Sequence, residues 1–245
     1  LQRFAEIGKK GVLALMCESV GSTRPGHSSP NHRITPHLEQ YFEDSQGRML
    51  ITVYNQNLYR VIEIIELATK YNRKVMIYDD ELKQLMGDMA KLGYYHIPPG
   101  LEIPRESFSN DADNVLVLIS GTGSSIFHKV HRIATKEDEL IELRPTDTVI
   151  IASPAVPGTE RSEAGMEDDL YKEAGRVIAV DARRAFSMHA GIEDLKMMIY
   201  LMNPKYYIPV KGEYRQLIAN ANIALSMCYK ADNIVVMDNG QVCQL

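Results

Sequence analysis

The sequence predicts an α/β protein built on a doubly wound, mostly parallel sheet. Short apolar runs bounded by turn residues recur along the chain, and longer segments of helical period separate them, the pattern of a parallel sheet covered by helices. The glycines, prolines and asparagines gather in loops that follow the apolar runs, where doubly wound sheets collect their ligands. Strands are predicted at 11–17, 48–54, 74–78, 114–119, 147–152, 177–180, 206–210 and 233–237. Helices are predicted at 57–71, 79–92, 159–174, 191–202 and 213–229. Three stretches read as loops: 21–36 around Arg24-Pro25-Gly26, 97–113 with three prolines, and 153–161 with Pro154, Pro157 and Gly158. The segments after Val53, Ile119 and Ile151 are therefore the places to seek a site.

Composition narrows the class without naming an activity. The 245 residues are 45% apolar and 24% charged, enough to bury a core and ordinary for a folded chain. A formal charge of −5 means that any grip on nucleic-acid phosphates must come from local cations rather than from the field of the whole chain. Cys17, Cys228 and Cys243 are odd in number, far apart and without CxxC spacing, as expected of reduced thiols in the cytoplasm. No apolar run reaches the roughly 18–20 residues that span a bilayer, so no membrane partner is expected. The chain begins without methionine and enters the run Gly11 to Met16 at once, so a piece of a longer protein is expected.

Four groups of residues invite a chemical reading. His128 and His131 are three apart, which suits metal ligation, yet Lys129 and Arg132 beside them fit a solvated basic face better. Ser120-Gly121-Thr122-Gly123 follows a predicted strand and either presents backbone N–H groups to a phosphate or serves as a plain connector. Asn55-Gln56-Asn57, with Arg60 one turn later, sits at a similar corner, as an N-cap or as a holder of phosphate and sugar oxygens. His189, in Ser187-Met188-His189-Ala190, precedes a predicted helix, where a capping or packing role competes with a site role.

Several segments, in order over nearly the whole chain, resemble ribonuclease J of the β-CASP metallo-β-lactamase family. They are the opening Leu1 to Glu18-Ser19, Arg24-Pro25-Gly26, Asp147 to Pro154 with Pro157-Gly158, Lys205 to Lys211-Gly212-Glu213-Tyr214-Arg215, and Asp238-Asn239-Gly240. The resemblance implies metallo-β-lactamase remnants of αββα type at 1–20 and 183–245, flanking a β-CASP domain at 21–182. It implies a ribonuclease of RNA processing and decay, cutting single-stranded RNA from the 5′ end and internally with zinc. It also implies that Glu18 orients His189 toward the scissile phosphate, since a carboxylate bound to an imidazole fixes its tautomer. Asn55, Gln56, Asn57, Arg60, Ser120, Gly121, Thr122, Gly123, Ser187, Met188 and Ala190 match substrate contacts.

The departures from the family pattern define a narrower expectation. Lys211 stands where active members carry a metal-binding histidine, and a protonated lysine has no lone pair for a metal. Lys211 is expected to meet phosphate or a carboxylate such as Glu213 instead. Met188 replaces a glycine, and the loops at 54–57 and 120–126 differ from the family's. The pattern is similar to the degenerate second paralogue of Gram-positive bacteria. The resemblance implies that the N-terminal part of the catalytic domain, with most of the zinc ligands, is missing, so no zinc and no hydrolysis are expected of this chain by itself. The likeness to the second paralogue implies weak activity of the full-length protein, and a partner that is an active ribonuclease J subunit or a further copy. The rival from another class is an unrelated nucleotide-binding α/β domain, which would bind at 120–126 and leave Glu18 and His189 far apart.

Overall fold

A computed structural model of the chain describes residues 1–28, 33–180 and 189–244. Its contacts divide into two compact units, one formed by 1–32 with 187–245 and the other by 33–186. The expected division at 20/21 falls before the one at 32/33, and that at 182/183 lies outside the described residues. Residues 21–28 go with the first unit because their backbone is bonded to the helix that begins at Ile192.

In the second unit the order is α2 (Thr35–Asp44), β2 (Met49–Tyr54), α3 (Leu58–Lys70), β3 (Lys74–Ile77), α4 (Asp80–Lys91), β4 (Val115–Gly121), α5 (Ser125–Ala134), β5 (Thr148–Ile151), α6 (Glu160–Glu173) and β6 (Arg176–Ala179). The five strands lie in the order β3-β4-β2-β5-β6 and every pairing is parallel. Parallel strands need both faces covered, and the apolar runs divide with period two. Met49, Ile51, Val53, Leu116 and Leu118 pack with α2, α3 and α4. Leu50, Val115, Val117, Ile119 and Val149 pack with α5 and α6 on the other face. Each fully buried Leu, Ile or Val contributes about 1.5–3 kcal/mol. A one-residue slip in register would exchange the two sets.

One buried and one partly buried ionic contact pin the ends of these strands. Arg48 and Asp147, just before β2 and β5, are both 0% exposed, and their pair joins Nε to Oδ1 at 3.2 Å and Nη2 to Oδ2 at 2.5 Å. At the opposite end of the sheet, Asp79 accepts from Lys129 of α5 and, at 2.5 Å, from the Ser120 backbone N–H. Lys129 also donates to the Ser120 carbonyl at 2.8 Å. Lys129 is thus partly buried and paired, which corrects its reading as part of a solvated basic face. His131 pairs with Asp169 of α6 at 2.9 Å, while His128 is exposed, so these histidines do not converge on a common ligand.

The first unit contains α1 (Gln2–Lys9), β1 (Val12–Glu18), α7 (Ile192–Met202), β7 (Pro204–Val210) and α8 (Tyr214–Ser226). Here β1 and β7 pair in parallel, from Val12 opposite Pro204 to Glu18 opposite Val210. Leu195, Ile199, Tyr207, Ile223 and Ala224 form the core over them. The strand expected at 233–237 is not formed. Ala231–Asn233 make a 3-10 turn, and Ile234 meets β7 through a single bridge to Tyr207, because only Val235 donates its N–H to that strand, at 2.9 Å. Helices α1 and α2 were not expected; α2 lies partly inside the Pro-containing stretch read as loop, and Pro36 occupies its first turn, where a missing N–H costs nothing.

Candidate functional site

The carboxyl ends of β1 and β7 lie side by side, and the residues that follow them build the site in the first unit. Glu18 ends β1 and Lys211 follows β7 in a left-handed conformation, φ 52°. The Ser19 N–H donates to the Lys211 carbonyl at 2.9 Å, closing the two strand ends on each other. Lys211 Nζ then reaches Glu18 Oε2 at 2.9 Å. His189 arrives 171 residues after Glu18 in the chain and places Nδ1 3.0 Å from Oε1 of the same carboxylate. One carboxylate therefore holds a histidine on one oxygen and an ammonium on the other.

That position sets the state of Glu18. Partial burial pushes its carboxyl up, but the hydrogen bonds from Lys211 and His189 outweigh burial and hold it below the ordinary carboxylate range. Lys211 does not pair with Glu213, whose carboxylate is taken by Arg215 at 2.6 Å. Glu213 is two residues further on at the N-cap of α8, whereas the strand register brings Glu18 alongside.

Residues not singled out from the sequence support this centre. Asn220 is fully buried on α8, accepts from the Tyr207 hydroxyl at 2.7 Å and donates to the Glu18 carbonyl at 3.2 Å and to Ser19 Oγ at 3.0 Å. Gln216 donates to the Val20 carbonyl at 3.2 Å and accepts from the Glu213 N–H at 2.8 Å. An asparagine within the apolar stripe of a helix was the available signal for Asn220, since a buried amide needs several partners. Ala190 lines, with Cys17, Glu18 and Met198, a pocket of about 250 Å³ beside the carboxylate. Ser187 and Met188 lie outside the described residues.

The remaining predicted contacts belong to the second unit, at the carboxyl ends of β2 and β4. Asn55 is buried and its N–H donates to the Gly121 carbonyl at 3.3 Å, which draws the two corners together. Gln56 is exposed and Asn57 takes the N-cap position of α3. Arg60 is 5% exposed, and burial pulls its guanidinium down to about 10 against the opposing effect of Glu63. Asn55 Oδ1 and Ser120 Oγ are buried without a hydrogen-bond partner among the described residues. A group left so costs about 1–3 kcal/mol, which marks this corner for a bound polar group. The Gly-rich run is less open than its composition suggested. Ser120 and Gly121 still belong to β4, the Ser120 N–H is held by Asp79, and the Thr122 N–H by Ser125 Oγ at 3.0 Å.

Among the described residues, no three His, Cys, Asp or Glu side chains converge as a metal would require. Glu18 and His189 are bonded to each other, and the next group in reach is the cation Lys211, so the described residues do not fit a zinc ion by themselves. No helix among the described residues is long and apolar enough to cross a membrane.

An all-parallel α/β unit and a carboxylate–histidine pair at two strand ends define an α/β protein with one candidate polar centre, and comparison with known proteins makes the class specific. Residues 46–170 match the model of the ribonuclease J β-CASP domain, and 177–224 match that of the zinc-dependent metallo-hydrolase RNA specificity domain. The chain is 31% identical over 242 residues to a ribonuclease J of Helicobacter pylori (strain B128), 98% of this chain and 35% of that protein. It is 31% identical over 247 residues to one of Synechocystis, 100% and 39%. It is 29% identical over 243 residues to a ribonuclease J 2 of Staphylococcus epidermidis, 99% and 44%. The chain therefore spans less than half the length of these relatives. It belongs to the ribonuclease J family, and the unrelated nucleotide-binding reading falls, because Glu18 and His189 meet.

Proposed function

We propose that the chain is part of a ribonuclease J-like protein that grips single-stranded RNA during RNA processing and decay in the cytoplasm, with a degenerate metal site and weak exo- and endonucleolytic activity. The observation that carries the reading is the pair of groups on Glu18: His189 on Oε1 and Lys211 on Oε2. In this reading Glu18 accepts the Nδ1 proton of His189, the protonated ring donates its Nε2–H to a phosphate oxygen, and Lys211 supplies positive charge beside it without a metal. The family model that matches 177–224 is described as zinc-dependent; on this reading zinc is held by the complete site of active members, and the groups of this chain do not hold it by themselves. Asn55 Oδ1 and Ser120 Oγ, buried without partners among the described residues, support Asn55, Gln56, Asn57, Arg60 and Ser120–Gly123 as a second place of RNA contact. On this reading 33–186 is the β-CASP domain, and 1–32 with 187–245 are parts of the metallo-β-lactamase domain.

The Lys211–Glu18 pair also favours a second reading, a catalytically poor subunit that binds RNA together with an active ribonuclease J or a further copy of itself. Full-length protein separates the two. Wild type should bind single-stranded RNA, His189→Ala should bind it more weakly, and Lys211→His should raise zinc content and cleavage. Efficient metal-dependent cleavage that survives Lys211→Ala would overturn the degenerate site. Co-purification with an active subunit, and a change in that subunit's RNA affinity, would favour the second reading.

A further inference from the structure

We propose that Arg24 is a positioning residue for His189, and that the strap from Gly21 to Ser28 is a clamp holding the imidazole on Glu18. This rests on the reading that His189 faces RNA phosphate. An imidazole turns only through χ1, which has three staggered wells, and a broad two-fold χ2, so a 3.0 Å contact between Nδ1 and Glu18 depends on where the His189 backbone sits. The strap determines that backbone from several directions. The half-buried Arg24 guanidinium donates from Nη2 to the His189 carbonyl, across 165 residues of sequence. The Ile192 N–H donates to the Arg24 carbonyl at 3.0 Å, and the Glu193 N–H to the Gly26 carbonyl at 3.2 Å.

The far end of the strap is fastened by Asp194. Its Oδ2 accepts the Ser28 N–H at 2.6 Å and the Gly191 N–H at 2.9 Å, and its Oδ1 meets His27 Nδ1 at 3.0 Å. The two layers touch so closely that side chains are excluded. A Cβ on Gly21 would lie 2.2 Å from the Ala190 carbonyl oxygen, and one on Gly191 would lie 2.4 Å from the Gly26 carbonyl oxygen. Residues 189–194 are thus held against the strap by hydrogen bonds and by contact. Arg24 is the member whose side chain acts on His189 itself. Its planar fork aims a donor at a carbonyl in a way that the point charge of lysine reproduces only in part.

The test uses full-length protein labelled with ¹⁵N-histidine. A ring N–H held by a carboxylate gives a downfield proton resonance, assigned to His189 by its loss in Glu18→Gln and His189→Ala. Arg24→Gln should lose or broaden that resonance while unfolding cooperatively, and Arg24→Lys should retain part of its intensity. If Arg24→Gln does not fold, Asp194→Asn tests the same clamp, with broadening expected. A wild-type His189 resonance in a folded Arg24→Gln or Asp194→Asn protein overturns the inference. The underlying reading fails separately: there His189→Ala leaves RNA affinity and cleavage unchanged, while the resonance still reports on Arg24.

Discussion

Replacing Arg48 by methionine should cost the 33–186 unit about 3–4 kcal/mol, within the range for breaking a buried ion pair from one side. Arg48 and Asp147 are both 0% exposed, so neither charge has water to fall back on. The guanidinium also donates to Asn110 Oδ1 at 2.8 Å and to the Glu142 carbonyl at 2.6 Å, and both acceptors would lose a donor. Asp147 would keep the Arg144 N–H at 2.9 Å and the Arg144 guanidinium at 3.5 Å, which holds the cost below the top of the range. For a chain of this size a loss of that magnitude lowers the melting temperature by roughly 10 °C. Arg48→Met with Asp147→Leu should recover most of the loss, because two apolar side chains leave no buried charge behind. Urea unfolding of the single and double variants, compared at unchanged m-value, is the assay. A single-variant cost under about 1 kcal/mol, or a double variant no more stable than the single, would refute the view that the single variant is costly because it leaves a buried charge uncompensated.

Four further outcomes follow from the geometry. Glu18 is held below its ordinary value, so its contribution is fully present above the unfolded value near 4.5 and is lost as pH falls through the lower folded value; the stability difference between wild type and Glu18→Gln should shrink over that window, from about 0.5–1 kcal/mol given the exposed lysine partner. Removing the lysine with Lys211→Ala should bring the Glu18 carboxyl back toward 4.5 in an NMR titration, since one of its two lowering neighbours is gone. Gly191→Ala should cost about 1–3 kcal/mol in thermal unfolding, the usual range for overpacking, because its Cβ would meet the Gly26 carbonyl oxygen at 2.4 Å. Asp79→Ala should expose the Ser120 amide to faster hydrogen exchange and cost about 2 kcal/mol, as the Ser120 N–H and Lys129 lose a common acceptor.

Much of the sheet was legible because a strand buried on both faces must be apolar throughout, and Met49 to Val53 or Val115 to Ile119 admits little else. The failures have physical causes. The residues around Ile234 have a strand's composition, yet one bridge to Tyr207 is all the pairing they obtain. Helix α2 was hidden by Pro36, which reads as a breaker in sequence and is harmless in a first turn. Lys129 looked like a solvated charge because nothing local shows that Asp79, 50 residues earlier, lies beneath it.

The site divides in the same way. The family resemblance carried by the sequence singled out Glu18, His189 and Lys211 and gave the expectation that lysine stands at a metal-ligand position, where residue type limits which atoms have lone pairs to offer. It did not decide which carboxylate Lys211 would take. Glu213 is nearer in the chain, but parallel pairing of β1 with β7 sets Glu18 opposite Val210 and hence beside Lys211. The distant partners of Asn220, Asp194 and Arg24 were likewise hidden, since each acts across at least 165 residues of chain on groups that only the fold brings within hydrogen-bond distance.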